Sequence, residues 1–412
     1  MKVLIRGALL LDPGATPAGR RGDLLIREGR IEAIGEQLPQ GDAQVIEAGG
    51  LVLAPGLVDL HVHLRYPGQT HKEDLATGGR AAAAGGVTTF CAMPNTTPAV
   101  DNVDTLQDIR LQAQAVCPVK LRQAAAITVG LRGERPTDLA ALAAAGAAAF
   151  TDDGRPVLSS AHMKQALIEA ARLGLPVFSH SEDLTLPPED PASEAIAVAR
   201  EIALAEQTGC PVHICHVSSA QSVRLLRDAR AAGLPVTAET APHYLTLTAE
   251  EVRGDPNRKM NPPLRGERDR QAVCAALCEG VIDVIATDHA PHSPAEKALP
   301  YAEAPNGVVG LETSLAAAIT ALVVPGLLSL PALFYRMATR PAEILGVPGG
   351  RLLPGAPADL VLLDPVARWR VEPDRLHSRS KNTPFAGREL TGRVKLTLVD
   401  GSVVYRDDRG ET

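Results

Sequence analysis

The chain has 412 residues, of which 45% are hydrophobic, 22% charged and only 3% aromatic, and it carries a formal net charge of −7. An acidic chain with so few aromatics lacks both the cationic surface that grips a phosphate backbone and the platforms on which bases stack, so no nucleic-acid partner is expected. A small anionic substrate needs only a local cation and is compatible with this charge, and the length calls for one large domain of α/β-barrel size plus something smaller.

Residues 1–54 read as short β-type runs, "KVLIRGALLL", "DLLIREGRIEAIG" and "QVIEAGGLVLAP", separated by Gly, Pro and Asp turns. They form the first part of a small β domain. The opening "MKVLIRGALLLDPG" does not have the build of a signal peptide, and the cysteines (Cys91, Cys117, Cys210, Cys215, Cys274, Cys278) form no C-x-x-C pair. A reduced, cytoplasmic protein with free thiols is therefore expected. Cys274 and Cys278 are spaced as neighbours on a helix face, which fits buried packing better than metal binding.

Residues 55–346 change rhythm. Apolar strand-like runs alternate with Ala-rich helical stretches: "GLVDLHVH", "KEDLATGGRAAAAGG", "VTTFCAMP" and onward. Repeated β/α units imply parallel pairing, and a run this long predicts an α/β fold of the (β/α)8 TIM-barrel type. From 347 to 412 the β pattern returns in "GRLLPGAPADLVLLDP" and "GRVKLTLVDGSVVYRDD", and the two terminal segments are expected to pair as one β domain. The uncharged stretch Thr313–Tyr335 is long enough to cross a bilayer, but Pro325-Gly326 and Pro331 break it into two shorter buried helices. No membrane span is expected.

In "VDLHVHLRYPG" the alternation of a strand puts His61, His63 and Arg65 on one face and Val62 and Leu64 on the other. If this is the first barrel strand, that face opens at the C-terminal mouth, where active sites of this architecture lie. Thr70-His71-Lys72-Glu73 has the spacing of a capping box for the next helix, Gly85-Gly86 can end it, and Asn95 follows the second strand.

The same placement recurs. "AAAGAAAFTDDG" ends a strand at Asp152 and Asp153, "GLPVFSHSED" at His180, "CPVHICHVSS" at His216, and "VIDVIATDHAPH" at Asp288 with His292 just beyond. A single strand-end histidine is usually a hydrogen-bonded loop residue, and His213, His71, His162, His243 and His377 are read that way. Four histidines with two aspartates at matching strand ends are a different matter, because neutral imidazole with carboxylate suits Zn²⁺. Six ligands exceed what one catalytic zinc with an open position takes, so two metals sharing a bridge is the economical reading. No lysine lies between Lys120 and Lys164. A carbamylated lysine at this strand end is thereby excluded, which favours Asp153 as the bridge with Asp152 as its competitor.

Together "DLHVHLRYPG", "GGVTTFCAMPNTTP", "FTDDG", "HSED", "CHVSSAQS", "MNPPLR", "ATDHAPHSPAEK" and "GVVGLET" resemble the amidohydrolase superfamily, specifically class I dihydroorotase, over essentially the whole chain. The resemblance implies zinc-dependent, reversible cyclisation of N-carbamoyl-L-aspartate to L-dihydroorotate and water in pyrimidine biosynthesis. It implies two Zn²⁺ per subunit bridged by Asp153 and a hydroxide, with His61, His63 and Asp288 on one and His180 and His216 on the other. The bridging hydroxide would be the nucleophile and Asp288 the general acid/base. Arg65, Asn95 and His292 match positions that grip the substrate carboxylate, and His63 also borders the substrate. Asn261, Asn306 and Gly307 match positions lining the pyrimidine ring. A homodimer and association with aspartate carbamoyltransferase are carried as expectations.

Three departures from the family pattern stand out. Tyr66 replaces a usual Glu, Asn306 replaces a usual Phe, and the stretch after His180 lacks a glycine-rich insert. The rival readings are another cyclic amidase, such as an allantoinase or dihydropyrimidinase/hydantoinase, and a non-catalytic partner of aspartate carbamoyltransferase.

Overall fold

Eight short parallel strands form a ring in a computed structural model that describes residues 2–13 and 19–408. After five N-terminal strands, β1 (Lys2–Leu10), β2 (Arg20–Arg27), β3 (Arg30–Gly35), β4 (Gln44–Glu47) and β5 (Val52–Pro55), the ring begins. Its strands are β6 (Leu57–Val62), β7 (Val87–Ala92), β8 (Lys120–Ala125), β9 (Ala149–Phe150), β10 (Phe178–Ser179), β11 (Val212–Ile214), β12 (Val236–Thr240) and β13 (Val284–Ile285). They pair in the order β6-β7-β8-β9 and β10-β11-β12-β13. Parallel bridges Phe150↔Val177 and Val62↔His289 join the two halves and close the barrel.

Side chains of the ring sort into two cores, as closure demands. Val58, Leu60, Cys91, Met93, Ala124, Phe178 and Val284 pack together with Ala342 and Leu345. Leu57, Val87, Phe90, Phe150, Ile214 and Ile285 pack instead with the helices, including Ala81–Ala84 and Ile109. Alanine on the helices lets the two layers approach closely.

Most of the connecting helices start on a capping side chain: Asp74, Asn102, Asp138, Ser159, Asp190 and Ser219 each accept from an N–H of the first turn. The first of them departs from expectation. Helix Leu75–Ala84 begins after Asp74, which forms the capping box with Thr77, so Thr70 and Glu73 lie outside it. Glu73 is instead wholly buried and accepts from Ser378, Thr77 and the Arg379 N–H. Its end at Gly85 is as expected.

The C-terminal strands β14 (Leu360–Arg370), β15 (Glu389–Val399) and β16 (Ser402–Arg406) join the N-terminal ones in one sheet of order β16-β15-β14-β5-β1-β2-β3, with β4 beside β1. The junction is β14 against β5, where Leu362 faces Leu53. Those residues, with Ile5, Leu24, Ile26, Leu360 and Leu398, make a separate core.

The uncharged stretch forms two helical pieces, one from Ser314 and one over Leu330–Phe334, and no helix among the described residues is long and apolar enough to cross a membrane. Pro325-Gly326 falls in the turn as expected, whereas Pro331 sits in the first turn of the second piece and starts it.

Candidate metal centre

His61 lies in β6 and His63 just beyond it, 0% and 5% exposed. Asp153 follows β9, His180 follows β10, His216 follows β11, and Asp288 follows β13. Each is at least nine-tenths buried. The barrel brings all six together.

Asp153 stands between two histidine pairs. Its Oδ2 is 3.1 Å from His61 Nε2 and 3.4 Å from His63 Nε2. Its Oδ1 is 3.6 Å from both His180 Nδ1 and His216 Nε2. Asp288 Oδ1 closes one side, 3.3 Å from His63 Nε2 and 3.6 Å from His61 Nε2. Asp152, the competitor for the central place, is turned away. Its Oδ1 accepts from the Ile127 and Thr128 N–H groups at 2.8 and 2.9 Å, and Oδ2 accepts from the Thr128 hydroxyl.

Hydrogen bonds on the far side of three rings leave a nitrogen lone pair aimed at this centre. His61 Nδ1–H donates to Glu239 Oε1 at 2.7 Å, His63 Nδ1–H to Asn95 Oδ1 at 2.7 Å, and His180 Nε2–H to Glu182 Oε2 at 3.0 Å. That is the arrangement in which metal-ligating histidines are held. Buried His61 Nε2 and Asp153 Oδ1 have no hydrogen-bond partner, a cost that a cation between them would relieve. Charge points the same way. Burial by itself would lower the His61 pKa, but Asp153 and Glu239 hold it well above its ordinary value. Burial likewise opposes ionisation of Asp153, and His61, His180 and His216 outweigh it and hold that carboxyl well below its usual range. The surplus of carboxylate favours positive charge at the centre, and the donor set of imidazole and carboxylate fits zinc.

Arg65 lies beyond the strand, with φ at 58°, so the alternation that places His61 and His63 does not extend to it. His216 and Asp288 share this left-handed backbone, with φ at 37° and 46°. Such conformations are uncommon outside glycine and gather at functional sites. Arg65 Nε donates to Pro291 O at 3.1 Å. Burial lowers its pKa to about 10, which leaves it charged at neutral pH. His292 Nε2–H donates to Asn306 O at 2.8 Å, and burial, followed by Arg65, pushes its pKa down to about 3, so it is neutral.

All the candidate residues except His61 line one cavity of about 200 Å³: His63, Arg65, Asn95, Asp153, His180, His216, Asn261, Asp288, His292, Asn306 and Gly307. His61 lies behind it. Asn261 Nδ2 donates to Glu182 Oε2 at 3.0 Å. Gly307 has φ at 132°, and a Cβ there would come within 2.7 Å of Ala290 O. Asn306 is exposed at the rim of this cavity. A larger hollow of about 410 Å³ between β14 and β15, among Arg368, Trp369, Arg375 and Glu389, shares no residue with this cavity.

Sequence reasoning missed Glu239, Glu182 and the contact of Asn95 with His63. His213, expected in a loop, lies in β11, where Nε2–H donates to Glu239 Oε2 at 3.1 Å. His162 and His377 are hydrogen-bonded to Gly133 O and Glu312 as expected, whereas buried His243 leaves Nε2 without a partner. Tyr66 donates its hydroxyl to Asp108 at 3.0 Å and does not line the cavity.

Residues 50–192 match the family described as Dihydro-orotase-like. Over the whole length the chain is 45% identical to a dihydroorotase of Geotalea daltonii, covering 99% of this chain and 100% of that protein. It is 46% identical to one of a Geobacter species, strain M21, covering 98% and 100%. Among solved structures it superposes on an L-hydantoinase (dihydropyrimidinase) of Arthrobacter aurescens with a TM-score of 0.90 at 27% identity, covering 100% of this chain and 97% of that one. It also superposes on a dihydropyrimidinase of Brevibacillus agri with a TM-score of 0.89 at 25% identity, covering 99% and 95%.

Proposed function

The chain belongs to the dihydroorotase family, and from that premise we propose that it catalyses the reversible ring closure of N-carbamoyl-L-aspartate to L-dihydroorotate and water in de novo pyrimidine synthesis. It is a hydrolase of cyclic amide C–N bonds. The observation that carries the reading is the central carboxylate, with one Asp153 oxygen toward each histidine pair and buried Arg65 at the same cavity.

In this reading His61, His63 and Asp288 would hold one zinc ion and His180 and His216 a second, with Asp153 available to both. Zinc, when bound, would polarise the ring amide carbonyl and activate water. Arg65 holds the substrate carboxylate, because a guanidinium fork matches two oxygens. His292 and Asn95 flank it, while Asn261, Asn306 and Gly307 border the ring. Asp288 moves the proton. Burial opposes its ionisation, but His63 and His61 hold its pKa below the usual range, so it starts as a base. In hydrolysis it takes a proton from the attacking water and passes it to the departing ring nitrogen, and in synthesis the order reverses.

The two solved neighbours described above are a hydantoinase and a dihydropyrimidinase, so an uncharged ring is the competing substrate. Arg65 favours the charged one. Purified protein supplied with zinc should turn over dihydroorotate in preference to hydantoin, dihydrouracil and allantoin, and a preference for an uncharged ring would overturn the assignment. Retention of all six ligands argues against a silent partner of aspartate carbamoyltransferase. We propose further that 1–54 and 347–412 form one domain beside the 55–346 barrel, and that the protein is a cytoplasmic homodimer able to associate with aspartate carbamoyltransferase.

A further inference from the structure

The segment between β14 and β15 returns to the barrel mouth and places a buried amide against the loops that line the cavity. We propose that Asn382, a residue outside the barrel, is a positioning residue for substrate binding, because its side chain ties the backbone stretch that carries His292, of the carboxylate grip, to the one that carries Gly307, at the border of the ring. This rests on the dihydroorotase reading above.

Asn382 is 3% exposed. Its Oδ1 accepts the His292 N–H at 3.2 Å, and its Nδ2 donates to Gly307 O at 3.0 Å and to Ala290 O at 3.3 Å. Its own carbonyl accepts the Val309 N–H at 3.1 Å. Ala290, His292 and Gly307 all line the cavity. The two stretches also meet directly, through Ala290 N–H to Val308 O at 2.8 Å, His292 Nε2–H to Asn306 O at 2.8 Å and Gly310 N–H to His289 Nδ1 at 3.2 Å. The amide adds to that pairing, and it satisfies three buried backbone groups at once.

What hangs on these loops is the carboxylate grip. Pro291 O accepts from Arg65 Nε, and Asn306 O accepts from His292 Nε2. Movement of 290–292 therefore displaces both groups together. His61, His63, Asp153, His180 and His216 sit on other strand ends, and the hydrogen bonds of the Asn382 side chain go to His292, Gly307 and Ala290 instead. The segment bearing Asn382 is itself anchored on the first barrel loop, where Ser380 donates to Lys72 O at 2.6 Å and Ser378 donates to Glu73. Loss of the amide should thus weaken substrate binding and spare the chemical step.

The test is Asn382→Asp, which keeps shape and the acceptor for His292 N–H but turns a second oxygen on two carbonyls. Wild type is assayed first on dihydroorotate. KM should rise by about tenfold or more while kcat stays within about threefold, with zinc content unchanged, since leaving buried groups unpaired costs binding rather than chemistry here. Asn382→Ser, which is smaller and uncharged, carries the same expectation should the first variant fail to fold. Unchanged KM in an active, zinc-loaded variant, or a fall in kcat alone, overturns the inference while leaving the dihydroorotase reading intact. A wild type inactive on dihydroorotate removes that reading and this inference with it.

Discussion

His61 Nδ1–H donates to Glu239 Oε1 at 2.7 Å, and both side chains are sealed from solvent. Glu239 also accepts from His213, so one carboxylate fixes two rings. Held this way, His61 can offer only Nε2 toward Asp153. Glu239→Gln removes the charge and keeps the volume. Zinc affinity should fall by about 10- to 100-fold, as for other partners of ligating histidines, and competition with a chelator measures it. An affinity unchanged within the error of that titration would leave Glu239 as packing only.

How far this was legible in the sequence follows from what each residue's role depends on. The convergence of His61, His180, His216 and Asp288 could be read because a barrel repeats one local rule, with chemistry at the ends of apolar runs. The barrel and the terminal β sheet followed from pattern alone. Glu239 could not be read, since "VTAET" looks like an ordinary strand and its partner His61 is supplied only when the ring closes. Asn382 lies 90 positions from the loop that it holds. Arg65 lines the cavity with His63 by a route other than alternation, because the strand ends at Val62 and the backbone at Arg65 is left-handed. The capping signal at Thr70–Glu73 misled because Glu73 is claimed by Ser378 from the far end of the chain.

Neighbouring aspartates should behave oppositely. Asp153→Asn should lose zinc, read by elemental analysis, because the amide nitrogen has no lone pair to offer a cation held at one of the histidine pairs. Asp152→Asn should keep its zinc and lose about 1–3 kcal/mol of stability, since one carboxylate now serves two backbone N–H groups and the Thr128 hydroxyl. Zinc loss in the second variant and retention in the first would exchange their roles.

Asp288→Ala should leave a folded protein whose dihydroorotate turnover is reduced by at least about 100-fold, the range for losing a positioned proton carrier. Circular dichroism beside the assay separates this from unfolding. Near-normal activity would sink the proton-transfer role.

Arg65→Gln should raise KM for dihydroorotate by about 10- to 100-fold, the equivalent of one charge-assisted hydrogen bond. Any slow hydrolysis of hydantoin, which has no carboxylate, should be unaffected. Equal losses on both substrates would mean that Arg65 serves the loop through Pro291 rather than the substrate.

Lys297 gives a pH dependence away from the metal centre. It is 7% exposed, and its ammonium donates to Pro256 O at 2.8 Å, Pro305 O at 2.9 Å and Lys259 O at 3.4 Å, with no carboxylate among these partners. Burial, with Lys259 nearby, lowers its pKa from 10.5 to about 8. Below the folded value both states hold the proton, and the full cost of burying the charge is present. Between that value and the unfolded one, the folded state sheds a proton that the unfolded chain keeps, so stability rises with pH. Lys297→Met has no such group. The stability of wild type relative to this variant should therefore improve by about 1.4 kcal/mol per pH unit once pH passes the folded value. Thermal midpoints of the two proteins at about pH 7.5 and about pH 9.5 give the comparison, and a gap that stays constant or moves against wild type would show that Lys297 keeps its ordinary pKa in the fold.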